Sequence, residues 1–333
     1  MKRYYKYFDL FKFTCCMLVP ISHLLSNETV DFSDWLIHVR TMNLPMFVTI
    51  SSLLFWSRFQ WHDKEKSREQ LRHYLGRLVM RIIAWSIVLL PFWLHRFIEH
   101  YPNSWISYIV PKLMLYGGCR GGYFIMSLIY GNSIIYLLHR YFGKIIPFLL
   151  TLIVQTYYIL ASQGIIDDYL GVCIKIGFFD TDYLCIRFIF YMEACVWFIP
   201  WVAGKLKKVN AEWGLWVSLA TFIAISAVPS DLVSFFATSC FVVLLCAFMF
   251  NLQVKQLPSW SITMRNMSKC IFFIHFVVID YGERAINHFA GIKLVDYGPF
   301  MEYVVVMSIT VPLAFLIASP LSRRFQVIKK WLL

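Results

Sequence analysis

Residues 8–25 read FDLFKFTCCMLVPISHLL, and apart from Asp9, Lys12 and His23 the stretch carries no charged side chain or imidazole. Its length approaches the roughly 20 apolar residues a helix needs to cross a bilayer. Lys12 and His23 are eleven positions apart. At about 100° per residue that is three turns plus about 20°, so both lie on one helix face, roughly 16 Å apart along the axis. Pro20 has no N–H for the carbonyl of Cys16, so the helix is expected to bend or open just below His23.

The rest of the chain repeats the pattern. Of 333 residues, 59% are hydrophobic and 18% aromatic, and only 15% are charged, against about 25% in a soluble domain. Mean hydropathy is +0.62. Composition argues against an ordinary soluble fold and favours a polytopic membrane protein. The net charge of +12 does not imply nucleic acid, because the cations fall between apolar runs, as in cytoplasmic loops. The opening MKRYYK before an apolar run is similar to a signal peptide. No small-x-small cleavage pattern follows, so the stretch reads as a retained first helix.

Ten apolar segments are expected, at about 8–26, 38–56, 79–97, 122–142, 145–162, 183–203, 213–228, 233–251, 268–283 and 300–319. With a cytoplasmic N-terminus, 22 of the 31 Lys and Arg residues fall on the inner side and eight on the outer, with Lys12 inside the first segment. The alternation loop by loop supports a bundle of about ten transmembrane helices with both termini cytoplasmic. After the tenth segment only SRRFQVIKKWLL remains. The expectation is one all-α membrane domain over 1–333 with no appended soluble domain, so chemistry must lie in the bundle or its loops.

Of nine cysteines, Cys15, Cys16, Cys195, Cys240, Cys246 and Cys270 lie in apolar segments and read as small core residues. Cys119, Cys173 and Cys185 fall near outer loops, where one pair could form a disulfide. Neither a CxxC pair nor a zinc-ligand spacing occurs, so no metal is expected. The sequons at Asn27 and Asn266 matter only in a glycosylating secretory pathway.

Polar groups inside spans are costly and are therefore functional candidates. Asp9 stands three residues before Lys12 and is near enough to pair with it. Lys12 either snorkels inward or presents its charge to a ligand, and His23 either anchors in the headgroup layer or works as a base. Arg77 and Arg81, four apart on one helix face, are either topogenic cations or phosphate contacts. Glu193 either bonds Arg187 or a hydroxyl, or lines an acceptor site. His275 is expected about one and a half turns into segment nine from the inside. Asp280, Glu283 and Arg284, near the outer end of that segment, could contact a sugar.

These residues resemble the first-helix signature of the acyltransferase-3 family of integral-membrane O-acyltransferases. That signature is an acid, two apolar residues, a base, ten residues and a histidine, and it maps here to Asp9, Lys12 and His23. LPMFVTISSLLF (44–55) is similar to the family's P-x-F-F-x-x-S-G pattern. GGYFIMSLIYG (121–131) resembles its W-F-L segment, and MSKCIFFIHF (267–276) its S-x-x-x-Y-L-x-H segment, with Ser268 and His275 seven apart. The resemblance runs in order through most of the chain. Lys12 stands where the family has arginine, keeping the charge without the bidentate fork. Ser52 stands where glycine is usual, and Phe272 where tyrosine is usual.

The resemblance implies a donor and an acceptor on opposite sides of the membrane. Cytosolic acyl-CoA, acetyl-CoA first among donors, would place a phosphate at Lys12, with Arg77 and Arg81 as further contacts. The thioester would reach toward His23. His23 would act as general base on an acceptor hydroxyl, or carry the acyl group itself. Asp9, Glu193, Ser268 and His275 would support the site. The acceptor would be a cell-envelope or exported glycan or a lipid-linked sugar, the setting a bacterial inner membrane, and membrane lipid the surrounding partner. The alternative is a non-catalytic transporter or flippase for a glycan or lipid-linked sugar. Such proteins often carry paired broken helices, and the sequence shows no such pair.

Overall fold

The computed structural model describes residues 4–24, 42–100, 122–162, 164–166, 188–226, 231–326, 328 and 332–333. These are almost wholly α-helical, in agreement with the all-α reading. The chain divides into two compact units, Met1–Phe47 with Leu252–Leu333, and Val48–Asn251.

The first unit joins residues far apart in sequence. β1 (Tyr4–Tyr5) pairs antiparallel with β2 (Gln253–Val254), Tyr4 opposite Val254 and Tyr5 opposite Gln253. The Lys6 N–H extends the ladder to the Leu252 carbonyl at 2.9 Å. From this anchor α1 (Phe8–Leu24) packs along α11 (Ser259–Val277) and α13 (Pro299–Leu316). Phe8, Cys16, Cys270 and Ile271 are buried in this unit. α1 continues through Pro20. The carbonyl of Met17, next to the one that Pro20 leaves without its usual donor, accepts the Tyr303 hydroxyl of α13 at 3.0 Å. α11 passes through a π-helical turn, Val278–Gly282, into the short α12 (Glu283–Ala290). α12 stops at Gly291, whose φ of 66° is open to glycine at little cost. α13 ends in a second π-turn, Ile317–Leu321, around Pro320, which cannot donate to the helical ladder. α14 (Ser322–Arg324) closes the helical run.

The second unit contains the rest of α2 (Asn43–Trp56), then α3 (Lys64–Val88), α4 (Leu90–His100), α5 (Gly122–Phe142), α6 (Ile145–Ser162), α7 (Ile189–Ala194), α8 (Phe198–Lys205), α9 (Ala211–Ser226) and α10 (Asp231–Asn251). α3 starts where the Asp63 side chain accepts the Lys66 N–H at 3.1 Å. Asn210 caps α9 in the same way, through the Glu212 and Trp213 amides. α3 packs on α5, α7 on α5 and α6, and α10 on α8 and α9. At Gly214 the approach to α10 is so close that a Cβ would lie 2.3 Å from the Phe248 ring. Asn132 organises the interior of this unit: its Oδ1 accepts the Trp56 indole N–H at 2.7 Å and its Nδ2 donates to Leu128 O at 2.8 Å.

Each apolar segment of the sequence overlaps a helix. Segments four and five coincide with α5 and α6, whereas α3 begins fifteen residues before segment three, in the charged run KEKSREQ. Segment six is interrupted by a turn at Cys195–Trp197 between α7 and α8. Two helical runs among the described residues are long and apolar enough to cross a membrane, Ser259–Ala290 and Phe300–Arg324. Asn43–Trp56, Ile145–Ala161, Ala211–Ile225 and Phe236–Asn251 are apolar but shorter. Cys119, Cys173, Cys185 and the first sequon lie outside the described residues.

Candidate active site

His23 and His275 meet in the first unit. Their rings stack at 5.6 Å between centroids and 26° between planes, and Phe276 lies against both, at 4.7 and 4.0 Å. His275 is fully buried, His23 half-buried. The Nδ1–H of His275 donates to the Ile271 carbonyl at 2.8 Å. A carbonyl can only accept, so the neutral ring carries its lone pair on Nε2. α11 begins at Ser259, nine residues before the apolar segment, and the helical run continues through Val278–Gly282 to Ala290, so His275 lies near the middle of that run, beside His23.

An aromatic row leads from this pair to Lys12. Phe272 lies 6.2 Å from the His275 ring and 5.8 Å from Phe47, on which it stacks, and the Lys12 ammonium stands 5.1 Å over the Phe47 ring. Phe47 and Phe272 thus separate a cation from two imidazoles on the face that Lys12 and His23 share. A ligand with an anionic head and a long neutral arm matches this order of groups.

Asp9 does not pair with Lys12 as expected. It takes a two-pronged contact from Arg265 of α11, Nε to Oδ1 at 2.8 Å and the terminal nitrogen to Oδ2 at 2.7 Å, and the Ser261 hydroxyl also donates to Oδ2. The planar guanidinium satisfies both carboxylate oxygens together, which an ammonium three residues away cannot do. Arg265 and Ser261 are therefore site-supporting residues that sequence reading missed; spacing along α1 reports only local neighbours. Ser268, buried, donates to the carbonyl of Arg265, one turn back on its own helix.

Arg77, Arg81 and Glu193 belong to the second unit. Arg77 is exposed and Arg81 half-buried, and among the described residues neither makes an ion pair. Tyr74 lies one turn before Arg77 and two turns before Arg81. Burial raises its phenol above the ordinary value, and the charges of Arg81 and Arg77 oppose that rise. Glu193 is fully buried and bonds His139 of α5, with His139 Nε2 2.6 Å from its Oε1. The expected partner Arg187 lies outside the described residues. His139 went unrecognised because it stands beside Arg140 and reads as part of a basic flank. The usable signal was an imidazole one turn inside an apolar helix. No group of three or more potential metal ligands occurs among the described residues.

No family model, no curated protein and no solved structure matches this chain.

Proposed function

We propose that this protein is an integral-membrane O-acyltransferase, an acetyltransferase in its simplest form, moving an acyl group from cytosolic acyl-CoA to a hydroxyl of an envelope or exported glycan. The reading includes a bundle of about ten spans with both termini cytoplasmic, in a bacterial inner membrane. One observation carries it: the stacked His23–His275 pair at one end of an aromatic row whose other end is Lys12.

Lys12 meets a phosphate of the donor as a point charge. The pantetheine arm follows the row of Phe47 and Phe272. At its end His23 removes the proton of the acceptor hydroxyl as the oxygen attacks the thioester carbonyl. The C–S bond then breaks, and the thiolate of CoA recovers the proton from the imidazolium. In the covalent variant His23 nitrogen attacks first, CoA leaves as thiol, and the hydroxyl displaces imidazole from the acyl group. His275, with its tautomer set by Ile271, offers Nε2 as an acceptor that steadies the protonated His23. Asp9 holds Arg265, and with it α1 against α11, so that the two histidines stay in register.

The transporter reading draws on the interruption of segment six beside a buried acid, Glu193, a combination at home in proton- and solute-moving proteins. Acetyl-labelled acetyl-CoA supplied to membranes containing wild type or His23→Ala at matched protein levels separates the two. Acyl transfer predicts label in the surface glycan with wild type and none with the variant. Equal label in both removes His23 from the chemistry. No label in either across varied acyl donors and glycan acceptors favours transport.

A further inference from the structure

His139 and Glu193 form a titratable pair that the acyl-transfer chemistry does not use. The contact is 2.6 Å, and only 3% of the His139 side chain and none of the Glu193 side chain is exposed. The second carboxylate oxygen, Oε2, is buried and has no hydrogen-bond partner among the described residues. The imidazole is covered by Trp61, 5.0 Å away at 36°, and Trp61 stacks on Trp56 at 5.1 Å and on Tyr136 at 6.2 Å. Trp61 is half-exposed on the connection between α2 and α3, so the imidazole lies under a partly solvated cover. α7 ends at Ala194, one residue after Glu193, and the Glu193 carbonyl accepts the Val196 N–H at 2.9 Å inside the turn that interrupts segment six.

A buried carboxylate with one hydrogen-bond partner and no full counter-charge is strongly disfavoured, so the pair is stable when it holds one proton beyond the shared hydrogen bond. Losing it converts an imidazolium beside a carboxylate into a neutral imidazole beside a carboxylate, with the proton leaving from Nδ1. Among the described residues, the other titratable groups that are buried or half-buried on the packed elements are Tyr74 of α3, Tyr123, Tyr130 and Tyr136 of α5, Tyr157 and Tyr158 of α6, Tyr191 of α7, Cys195 of the turn and Cys246 of α10. All are of types that stay uncharged near neutral pH. His62, next to Trp61, and His73 of α3 are exposed; Arg77 and Arg81 of α3 and Arg140 of α5 carry charge but are exposed or half-exposed, where water screens them. Among the described residues, the proton is therefore the charge that balances Glu193.

We propose that the His139–Glu193 pair is a proton-binding site that holds the end of α7 against α5, and that loss of its proton loosens the turn at Cys195–Trp197. The assignment rests on the second unit alone and is independent of acyl transfer.

The test uses the full-length protein in lipid nanodiscs, followed by infrared spectroscopy and amide exchange between about pH 5 and pH 9. Wild type should show a single-proton change in its imidazole ring bands, with an accompanying shift of a carboxylate band, and both should be missing from Glu193→Gln. His139→Gln should acquire a protonated carboxyl band at neutral pH that Glu193→Gln lacks, since the acid without its partner must neutralise itself. Exchange at the Cys195–Trp197 amides, corrected for intrinsic pH dependence, should rise about tenfold above the midpoint in wild type and stay level in Glu193→Gln. A His139→Gln protein whose Glu193 remains ionised overturns the proton site. A wild-type exchange profile that ignores the carboxylate transition overturns the latch.

Discussion

Removing the Asp9 carboxylate separates the local pairing suggested by sequence from the distant one in the fold. In Asp9→Ala, Arg265 keeps 41% of its side chain exposed and can turn to water, but two charge-assisted bonds vanish and the buried Ser261 hydroxyl loses its acceptor. Discounted for the partial exposure of Arg265, the loss is about 2 kcal/mol. Arg265→Ala is worse, at about 3 kcal/mol, because Asp9 is 2% exposed and is left with an uncompensated charge. A double-mutant cycle on thermal or denaturant unfolding in detergent should give a coupling of about 2 kcal/mol between Asp9 and Arg265 and under about 0.5 kcal/mol between Asp9 and Lys12. Each kcal/mol corresponds to roughly 2–4 °C in the unfolding midpoint for a chain of this order of size. Lys12→Ala should lower that midpoint less than Arg265→Ala does, through its contact with Phe47, while lowering acyl transfer at least about tenfold, which is the loss of one charge-assisted contact. A strong Asp9–Lys12 coupling with a weak Asp9–Arg265 coupling would refute the pairing and the division of labour between a structural and a ligand-facing cation.

Two further predictions follow from particular contacts. Gly214→Ala puts a methyl 2.3 Å from the Phe248 ring and should cost about 1–3 kcal/mol; adding Phe248→Leu should recover part of the loss, and unfolding midpoints of the three variants check it. The Asp63 carboxylate is held below its ordinary value of 3.8, first by the Lys66 backbone N–H and then by the Lys66 side chain. Its cap therefore stabilises the first turn of α3 fully above that value and is lost as pH falls through the lowered one. Exchange of the Lys66 amide should accelerate at that acid edge in wild type and show no such edge in Asp63→Ala.

The helices were legible where apolar runs end in punctuation. α5 and α6 match their segments because Arg140, Gly143 and Lys144 mark the junction. α3 was half legible: KEKSREQLRHYLGR is helical through a cap and good helix formers, not through apolar periodicity. The start of α11 at Ser259 was hidden for the same reason. The interruption at Cys195–Trp197 has no Pro or Gly to announce it. For the site, the Lys12–His23 face could be read from helix geometry. The partners of Asp9 and Glu193 could not, since they sit 256 and 54 residues away in sequence.

The joining of β1 to β2 and of Asp9 to Arg265 has a consequence for biosynthesis. α1 leaves the ribosome well before α11, carrying an acid whose guanidinium partner is translated only after the entire second unit. Until then Asp9 must remain hydrated and α1 must wait without its packing surface. A nascent chain arrested before Ser259 would hold His23 and Lys12 yet have no assembled site. Activity should therefore appear abruptly, once α11 has emerged and docks against the earlier-made α1.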